Sequence, residues 1–155
     1  MLLGTGGHTI SFWYYPTSFN ASFVDVLIHK AVGASQPQWK IYIVNSTHYL
    51  TWVTYNGTTE YALTGTTALV ANTWYYIVCT RSNTGVKTIY VNGSLYSSGS
   101  DNNINIDNSS YPLTIGVSGV GYTDYVNGII KDLMIFRQAL SQDQIAALMA
   151  ETYIN

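Results

Sequence analysis

Ile89-Tyr90-Val91-Asn92-Gly93 is the most informative stretch of the chain, because it is a short apolar strand pattern that ends in Asn-Gly. Both central residues of a two-residue hairpin turn need a positive φ, which asparagine and glycine tolerate best. The strand-like run Ser94 to Ser97 follows at once. The stretch therefore predicts a β-hairpin, and the segments Tyr75 to Arg81 and Leu113 to Ile115 predict strands on either side of it.

Strand patterns also fill most of the remaining chain. Many short strands at a spacing of roughly 8–12 residues predict an all-β fold, an antiparallel β-sandwich of the jelly-roll type. The other predicted strands are Thr9 to Tyr15, Val24 to Lys30, Trp39 to Asn45, Tyr49 to Tyr55, Thr58 to Leu63, Lys87 to Val91, Asn103 to Asp107 and Ile129 to Phe136.

One short C-terminal helix is expected after the last strand. Ser141 is the predicted N-cap, and Gln144 completes a capping box, while Leu140 and Ile145 stand at the two positions of a hydrophobic staple. The 155 residues suit a single domain over 1–155, which we expect to be one module of a longer protein or a complete one.

The composition limits the partners. Only 9% of the residues are charged and the formal net charge is −2, so hydroxyl and amide groups must form the polar surface. Such a surface is typical of extracellular, cell-surface or virion proteins. The six basic residues are scattered, which argues against nucleic acid, and no window approaches the ~18 apolar residues of a membrane span. The single cysteine, Cys79, lies within a predicted strand and is expected to pack as a small hydrophobe.

Several short motifs, in this order, resemble the laminin-G-like, concanavalin-A-like lectin/glucanase jelly-roll domains. They are Thr9-Ile10-Ser11-Phe12-Trp13, Asn72-Thr73-Trp74-Tyr75, Ile89-Tyr90-Val91-Asn92-Gly93, Pro112-Leu113-Thr114-Ile115-Gly116 and Asp132-Leu133-Met134-Ile135-Phe136. The resemblance implies a concanavalin-A-like sandwich. Two departures stand out: Lys131 occupies a position where many members carry an acid, and seven residues precede His8 where members have some thirty, so we expect an open sheet edge or a trimmed start.

Catalysis is not expected. Glycosidases of this superfamily need two carboxylates, ~5 to ~9.5 Å apart across the scissile bond. The chain has two glutamates, Glu60 and Glu151, and no predicted strand carries alternating acids. We therefore predict a non-catalytic recognition module that binds glycan or another surface ligand through rim loops.

The alternative is a structural or decoration module of a virion or surface assembly, which acts by protein contact through an open sheet edge. A rim aromatic beside free amides would favour the lectin. A strand completed by another chain would favour the structural module.

Sugar binding needs an aromatic surface for the C–H face of the sugar and polar groups for its hydroxyls. Trp13 and Trp74 are expected in the core. The candidate ligand-binding residues are Trp39, Trp52, Tyr122, Tyr125, Asn102, Asn103 and Asn127.

Calcium is the candidate cofactor, because the resemblance implies a site at the loop rim formed by an aspartate and backbone carbonyls. The available carboxylates are Asp124, Asp101 and Asp107. The spacing of acids and amides from Asp101 to Asp107 does not form an EF-hand, since Ile106 and Pro112 stand where glycine and glutamate are required.

Overall fold

The computed structural model describes residues 3–31, 37–106, 112–119 and 124–153. Its elements are β1 (His8–Pro16), β2 (Asp25–Ala31), β3 (Pro37–Ile43), β4 (Tyr49–Tyr55), β5 (Glu60–Ala68), β6 (Tyr75–Arg81), β7 (Val86–Val91), β8 (Ser94–Ser100), β9 (Leu113–Ile115), β10 (Gly128–Phe136) and α1 (Gln142–Tyr153). Five strands form sheet A in the order β10-β1-β6-β7-β8, and five form sheet B in the order β5-β4-β3-β2-β9. All pairings are antiparallel, so the predicted all-β sandwich with one C-terminal helix is confirmed.

The main core lies between the two sheets. Ile10 and Phe12 of β1 face Ile41 and Ile43 of β3 across it, and all four are fully buried. Successive side chains of a strand point to opposite faces, so each sheet turns alternate residues inwards. Cys79 is buried in this core as expected, and burial raises the pKa of its thiol.

A second, smaller apolar cluster lies on the outer face of sheet A, the face turned away from sheet B. There α1 packs Ile145 against Trp13, Tyr76 and Val78. α1 has 12 residues, and no helix within the described ranges is long and apolar enough to cross a membrane.

The local turn signals are confirmed in part. Asn92 and Gly93 have φ values of 51° and 77° and join Val91 to its pairing partner Ser94. The predicted strand Asn103 to Asp107 is wrong, because residues 102–103 form a turn and 104–106 a loop, while Asp107 lies outside the described residues.

The connecting loops gather at the two ends of the sandwich. The Trp74 end consists of residues 17–24, 44–48, 69–74, 92–93 and 124–127. Hydrogen bonds connect these loops to each other and to the end of β1: Asn72 N–H donates to Pro16 O at 2.7 Å, and Thr17 N–H donates to Asn127 O at 2.9 Å. The Asp101 end consists of residues 4–7, 56–59, 82–85 and 101–106, where Asp101 N–H donates to Gly85 O at 3.0 Å.

Candidate functional site

The C-terminal helix builds one wall of the candidate site. Ser141 and Gln144 form the predicted capping box, with Ser141 N–H donating to Gln144 Oε1 (2.9 Å) and Gln144 N–H to Ser141 Oγ (3.3 Å). At the other end of the helix, Trp13 Nε1–H donates to Thr152 Oγ1 at 2.9 Å. The capping box closes the first turn of α1, and Leu140 N–H, just before the helix, donates to Thr9 Oγ1 of β1 at 2.9 Å. The bonds of Leu140 and Thr152 to β1 therefore fix both ends of α1 on sheet A, and its last turn lies beside Trp13.

Aromatic rings line the space between that last turn and the Trp74 end. The ring of Trp74 meets Trp13 edge-on at 6.3 Å and Tyr15 at 5.2 Å between centroids. Tyr153 approaches Trp13 from the helix at 5.6 Å. Trp74 and Tyr153 remain 37% and 74% exposed, which is unusual for such large rings.

We call this space the aromatic groove, and it has two adjoining lobes that share Trp13, Trp74 and Tyr153. Lys131 completes the smaller lobe, whose volume is about 300 Å³. The larger lobe measures about 530 Å³ and is lined in addition by Asn92, Met149 and Ala150. Both volumes fall in the range of small-ligand sites, which are mostly apolar with a few polar groups that fix orientation.

Charged groups border the aromatic rings on strand β10. Lys131 Nζ lies 5.6 Å from the centroid of the Trp74 ring, within cation–π range. It lies 3.4 Å from Asp132 Oδ2, and both side chains are about a third exposed (35% and 39%). Burial raises the pKa of the Tyr76 hydroxyl, the hydroxyl groups of Ser11 and Thr152 lower it by a smaller amount, and the Asp132 carboxylate contributes a small further increase. The site thus presents aromatic faces, one ammonium and one carboxylate, which suits binding.

The structure places Trp39 and Trp52 in the main core, both 0% exposed. Trp52 is enclosed by His8, at 5.9 Å in an edge-on contact, and by Lys87 Nζ, 4.7 Å above its ring. Both were candidate ligand-binding residues, but β3 and β4 turn them inwards into the core. In this structure neither offers a ring face to a ligand.

Asp101, a candidate calcium ligand, is a buried ion-pair partner. It accepts from Arg81 Nε (2.7 Å), Arg81 Nη2 (3.0 Å), Thr54 Oγ1 (3.1 Å) and Asn103 N–H (3.1 Å). These four bonds use the roughly four acceptor sites of a carboxylate. The assignment of Asp101 to calcium is therefore corrected, since no acceptor capacity is left for a metal ion.

Asn102 and Asn103 occupy the turn that follows Asp101, with φ values of 55° and 54°. Asn102 Nδ2 donates to Tyr61 Oη at 3.4 Å. This turn lies at the Asp101 end, so it is remote from the aromatic groove at the Trp74 end.

The remaining described candidates lie at the Trp74 end. Asp124 holds a φ of 58° and its carbonyl accepts from Val26 N–H at 3.2 Å. Tyr125 and Asn127 follow it on the same loop and are exposed. Tyr122 and Asp107 lie outside the described residues. The structure thus divides the candidate set between opposite ends of the sandwich.

No group of three or more His, Cys, Asp and Glu side chains that could hold a metal occurs within residues 3–31, 37–106, 112–119 and 124–153. Sequence reasoning also missed the groove itself. Trp74 was expected in the core, but Asn72, with a φ of 61°, turns the chain so that Trp74 precedes β6 and is left partly exposed. The Asn-Thr pair before Trp74 was the available signal for that turn.

The topology defines a two-sheet antiparallel β-sandwich, and sequence comparison gives its family. Residues 1–146 match the laminin G family described as the concanavalin A-like lectin/glucanases superfamily. Because the match covers most of the chain, the protein belongs to this superfamily. No curated protein matches the chain by sequence alone.

Solved structures share the fold at low identity. The CBM40 of the Ruminococcus gnavus IT-sialidase, solved bound to α2,3-sialyllactose, has a TM-score of 0.75 and 19% identity, with 92% of this chain and 82% of that chain covered. The botulinum neurotoxin serotype G binding domain has a TM-score of 0.71 and 20% identity, with 97% and 37% covered. A botulinum neurotoxin type C structure, described as dependent on two ganglioside molecules for cell entry, has a TM-score of 0.69 and 17% identity, with 94% and 36% covered. This chain therefore spans little more than a third of the length of the toxin chains, and the similarity establishes the fold alone.

Proposed function

We propose that this chain is a non-catalytic module that binds glycans in the aromatic groove. The observation that carries the proposal is Trp74, a partly exposed indole held by Trp13 and Tyr15 beside the side chain of Lys131. Three rings in contact restrict one another, so Trp74 offers a surface that is largely fixed before a ligand arrives. Pre-organisation of this kind lowers the entropic cost of binding.

The groove offers the two kinds of contact that a sugar needs. The indole of Trp74 and the phenol of Tyr153 can cover the C–H face of a pyranose ring. Asn92 is fixed because its Oδ1 accepts from Tyr76 N–H at 2.8 Å, which leaves its NH₂ group to donate to a ligand hydroxyl. Lys131 supplies a further donor at the smaller lobe.

The structural neighbours support this function at the level of ligand chemistry. A CBM40 solved bound to α2,3-sialyllactose and a toxin whose cell entry is described as dependent on two ganglioside molecules both contain a region of this fold. One of these modules is part of a sialidase, and the proposal for this chain is binding without catalysis. Because a fold alone does not determine function, the groove rather than the similarity is what the experiment must test.

Location and rim contacts complete the proposal. Glycan ligands imply an extracellular, cell-surface or virion location, which agrees with the low charge of the chain. Tyr125 and Asn127 lie at the Trp74 end and remain candidates for a secondary contact, with Asp124 the candidate carboxylate for calcium there.

The alternative function, protein contact through a sheet edge, has one observation in its favour. β10 is an edge strand of sheet A and is nine residues long. However, its register shifts between Ser11 and Trp13 of the paired strand, and a bulge with charged residues hinders pairing with a further strand. We therefore rank this function second.

The test is a glycan-array screen of the purified chain with calcium and with EDTA, followed by titration of the strongest ligand. Trp74→Ala should weaken binding about 30-fold, the equivalent of roughly 2 kcal/mol for the loss of a tryptophan anchor. Val86→Ala, which truncates an exposed apolar side chain at the Asp101 end, is the matched control and should leave affinity unchanged. Absence of glycan binding in both conditions, or binding that Trp74→Ala does not weaken, would contradict the proposal.

A further inference from the structure

A β-bulge on strand β10 borders the aromatic groove. Ser11 pairs with Met134 and Trp13 with Lys131, so two residues of β10, Asp132 and Leu133, lie opposite the single residue Phe12. Asp132 has a φ of 54°, a left-handed conformation that few residues other than glycine, asparagine and aspartate adopt readily. Bulges re-aim side chains and recur beside functional sites.

The bulge brings two consecutive charges to the same face of the sheet. Ile130 and Leu133 both pack against the main core, so they point inwards. Lys131 lies between them opposite Trp13 and points outwards. Asp132 is the additional residue, and its carboxylate lies 3.4 Å from Lys131 Nζ. In a regular strand the neighbours 131 and 132 would point to opposite faces.

We propose that Lys131 and Asp132 act as a pair that recognises adjacent hydroxyl groups of a neutral sugar stacked on Trp74, an inference that rests on the function proposed above. A carboxylate can accept from two neighbouring hydroxyls at once, while the ammonium donates to a hydroxyl oxygen. Charge-assisted hydrogen bonds of this kind are stronger than neutral ones. The ligand class is thus an uncharged pyranose with vicinal hydroxyls.

The charge distribution disfavours an acidic sugar at the same place. The carboxylate of Asp132 already lies against the Lys131 ammonium and repels a second carboxylate. The helical wall adds no compensating charge, since α1 contains Asp143 and Glu151 and has no basic residue in its last turn. An acidic ligand that pairs with the Lys131 ammonium would bring its own carboxylate close to that of Asp132, and the repulsion between the two like charges weakens its binding.

The experiment compares a panel of neutral glycans with the same glycans capped by sialic acid. Wild type should bind members of the neutral set at least tenfold more tightly than their capped forms. Asp132→Asn keeps the size of the side chain and tolerates the left-handed conformation. It should nevertheless weaken the binding of neutral glycans tenfold or more and reduce the preference for neutral over capped glycans. Lys131→Gln, which removes the ammonium without touching the bulge, should weaken neutral binding as well. Asp143→Asn makes the same charge change in the first turn of α1 and should alter neither affinity.

The possible results separate the two proposals. Preference for the capped glycans, or unchanged affinity of Asp132→Asn and Lys131→Gln for the neutral glycans, overturns the charge-pair inference. The proposed glycan binding in the aromatic groove still stands in that case if Trp74→Ala weakens binding about 30-fold. Absence of binding to both sets overturns the proposed function and the inference with it. Thermal unfolding of each variant shows whether a loss of affinity reflects a loss of fold.

Discussion

Asp101 gives the sharpest quantitative prediction, because the structure reassigns it from a metal site to a buried ion pair. Asp101 and Arg81 are both fully buried, and two charge-assisted hydrogen bonds of 2.7 Å and 3.0 Å join them. In Asp101→Ala the guanidinium would stay in the interior. Its remaining acceptors would be Ile104 O at 2.7 Å and Gly4 O at 3.4 Å, both uncharged.

The expected cost follows from that uncompensated charge. Removing one partner of a buried ion pair typically lowers the free energy of unfolding by about 3–5 kcal/mol. For a domain of 155 residues, each kcal/mol shifts Tm by about 2–4 °C, so Tm should fall by roughly 6–20 °C. The loss of the bonds from Thr54 Oγ1 and Asn103 N–H adds to this cost. Asp101→Asn should lie between wild type and Asp101→Ala, since its amide oxygen keeps part of the network.

Urea unfolding with and without calcium tests the magnitude. Asp143→Asn controls for the loss of a carboxylate on the surface and should cost less than about 1 kcal/mol, the usual value for a helix-dipole contact. The double variant Arg81→Met with Asp101→Leu should recover part of the loss, because it removes both charges together. If Asp101→Ala lowers the free energy of unfolding by less than about 1 kcal/mol, the buried ion-pair argument is contradicted. It is also contradicted if calcium raises the stability of wild type but not that of Asp101→Ala, because Asp101 would then be a calcium ligand.

Two further predictions concern stability. Burial and the neighbouring Lys40 lower the pKa of His29 from 6.5 to about 4, so the stability that the neutral ring provides is full above pH 6.5 and is lost as the pH falls toward 4. Urea unfolding at pH 7 and about pH 4 should show wild type losing up to about 3 kcal/mol more than His29→Asn, and equal losses would show that His29 does not titrate as described. Gly65→Ala should lower the free energy of unfolding by about 1–3 kcal/mol, because the added Cβ would overlap the ring of Tyr96. Gly6→Ala is the control, since the nearest atom to its added Cβ lies 3.5 Å away. Equal Tm values for the two variants would contradict this packing.

The sequence was most informative where local chemistry determines local structure. The Asn92-Gly93 turn could be predicted because each residue tolerates the positive φ that the hairpin needs. The capping box of Ser141 and Gln144 was predictable for a similar reason, since donor and acceptor are three residues apart. Strand bounds such as Tyr49–Tyr55 and Leu113–Ile115 agree with the structure because apolar runs between turn residues have few alternatives.

The candidate site was less accessible because it depends on which distant segments meet. From its sequence neighbours, Asp101 is indistinguishable from an exposed loop carboxylate. Arg81, 20 residues away in sequence, contacts it only because the strands of sheet A pair. Trp39 and Trp52 have the composition of ligand-binding residues, but the direction in which a strand turns them depends on the whole sheet. The groove depends on Tyr153 and Trp13, whose contact spans nearly the full chain.

The distribution of charge explains why the Lys131–Asp132 pair is distinctive on this surface. Of the six basic residues, Lys30, Arg81 and Lys87 are at most 3% exposed. Lys87 donates to Trp52 O, Thr54 Oγ1 and Tyr61 O, and burial lowers its pKa to about 8, so half of the cations of the chain stabilise the interior or are enclosed by it. Long-range electrostatic attraction is therefore weak, and selectivity must come from short contacts. The β10 bulge supplies such contacts, because it places an ammonium and a carboxylate beside exposed aromatic rings. The two groups can form hydrogen bonds to sugar hydroxyls, and together they add no net charge.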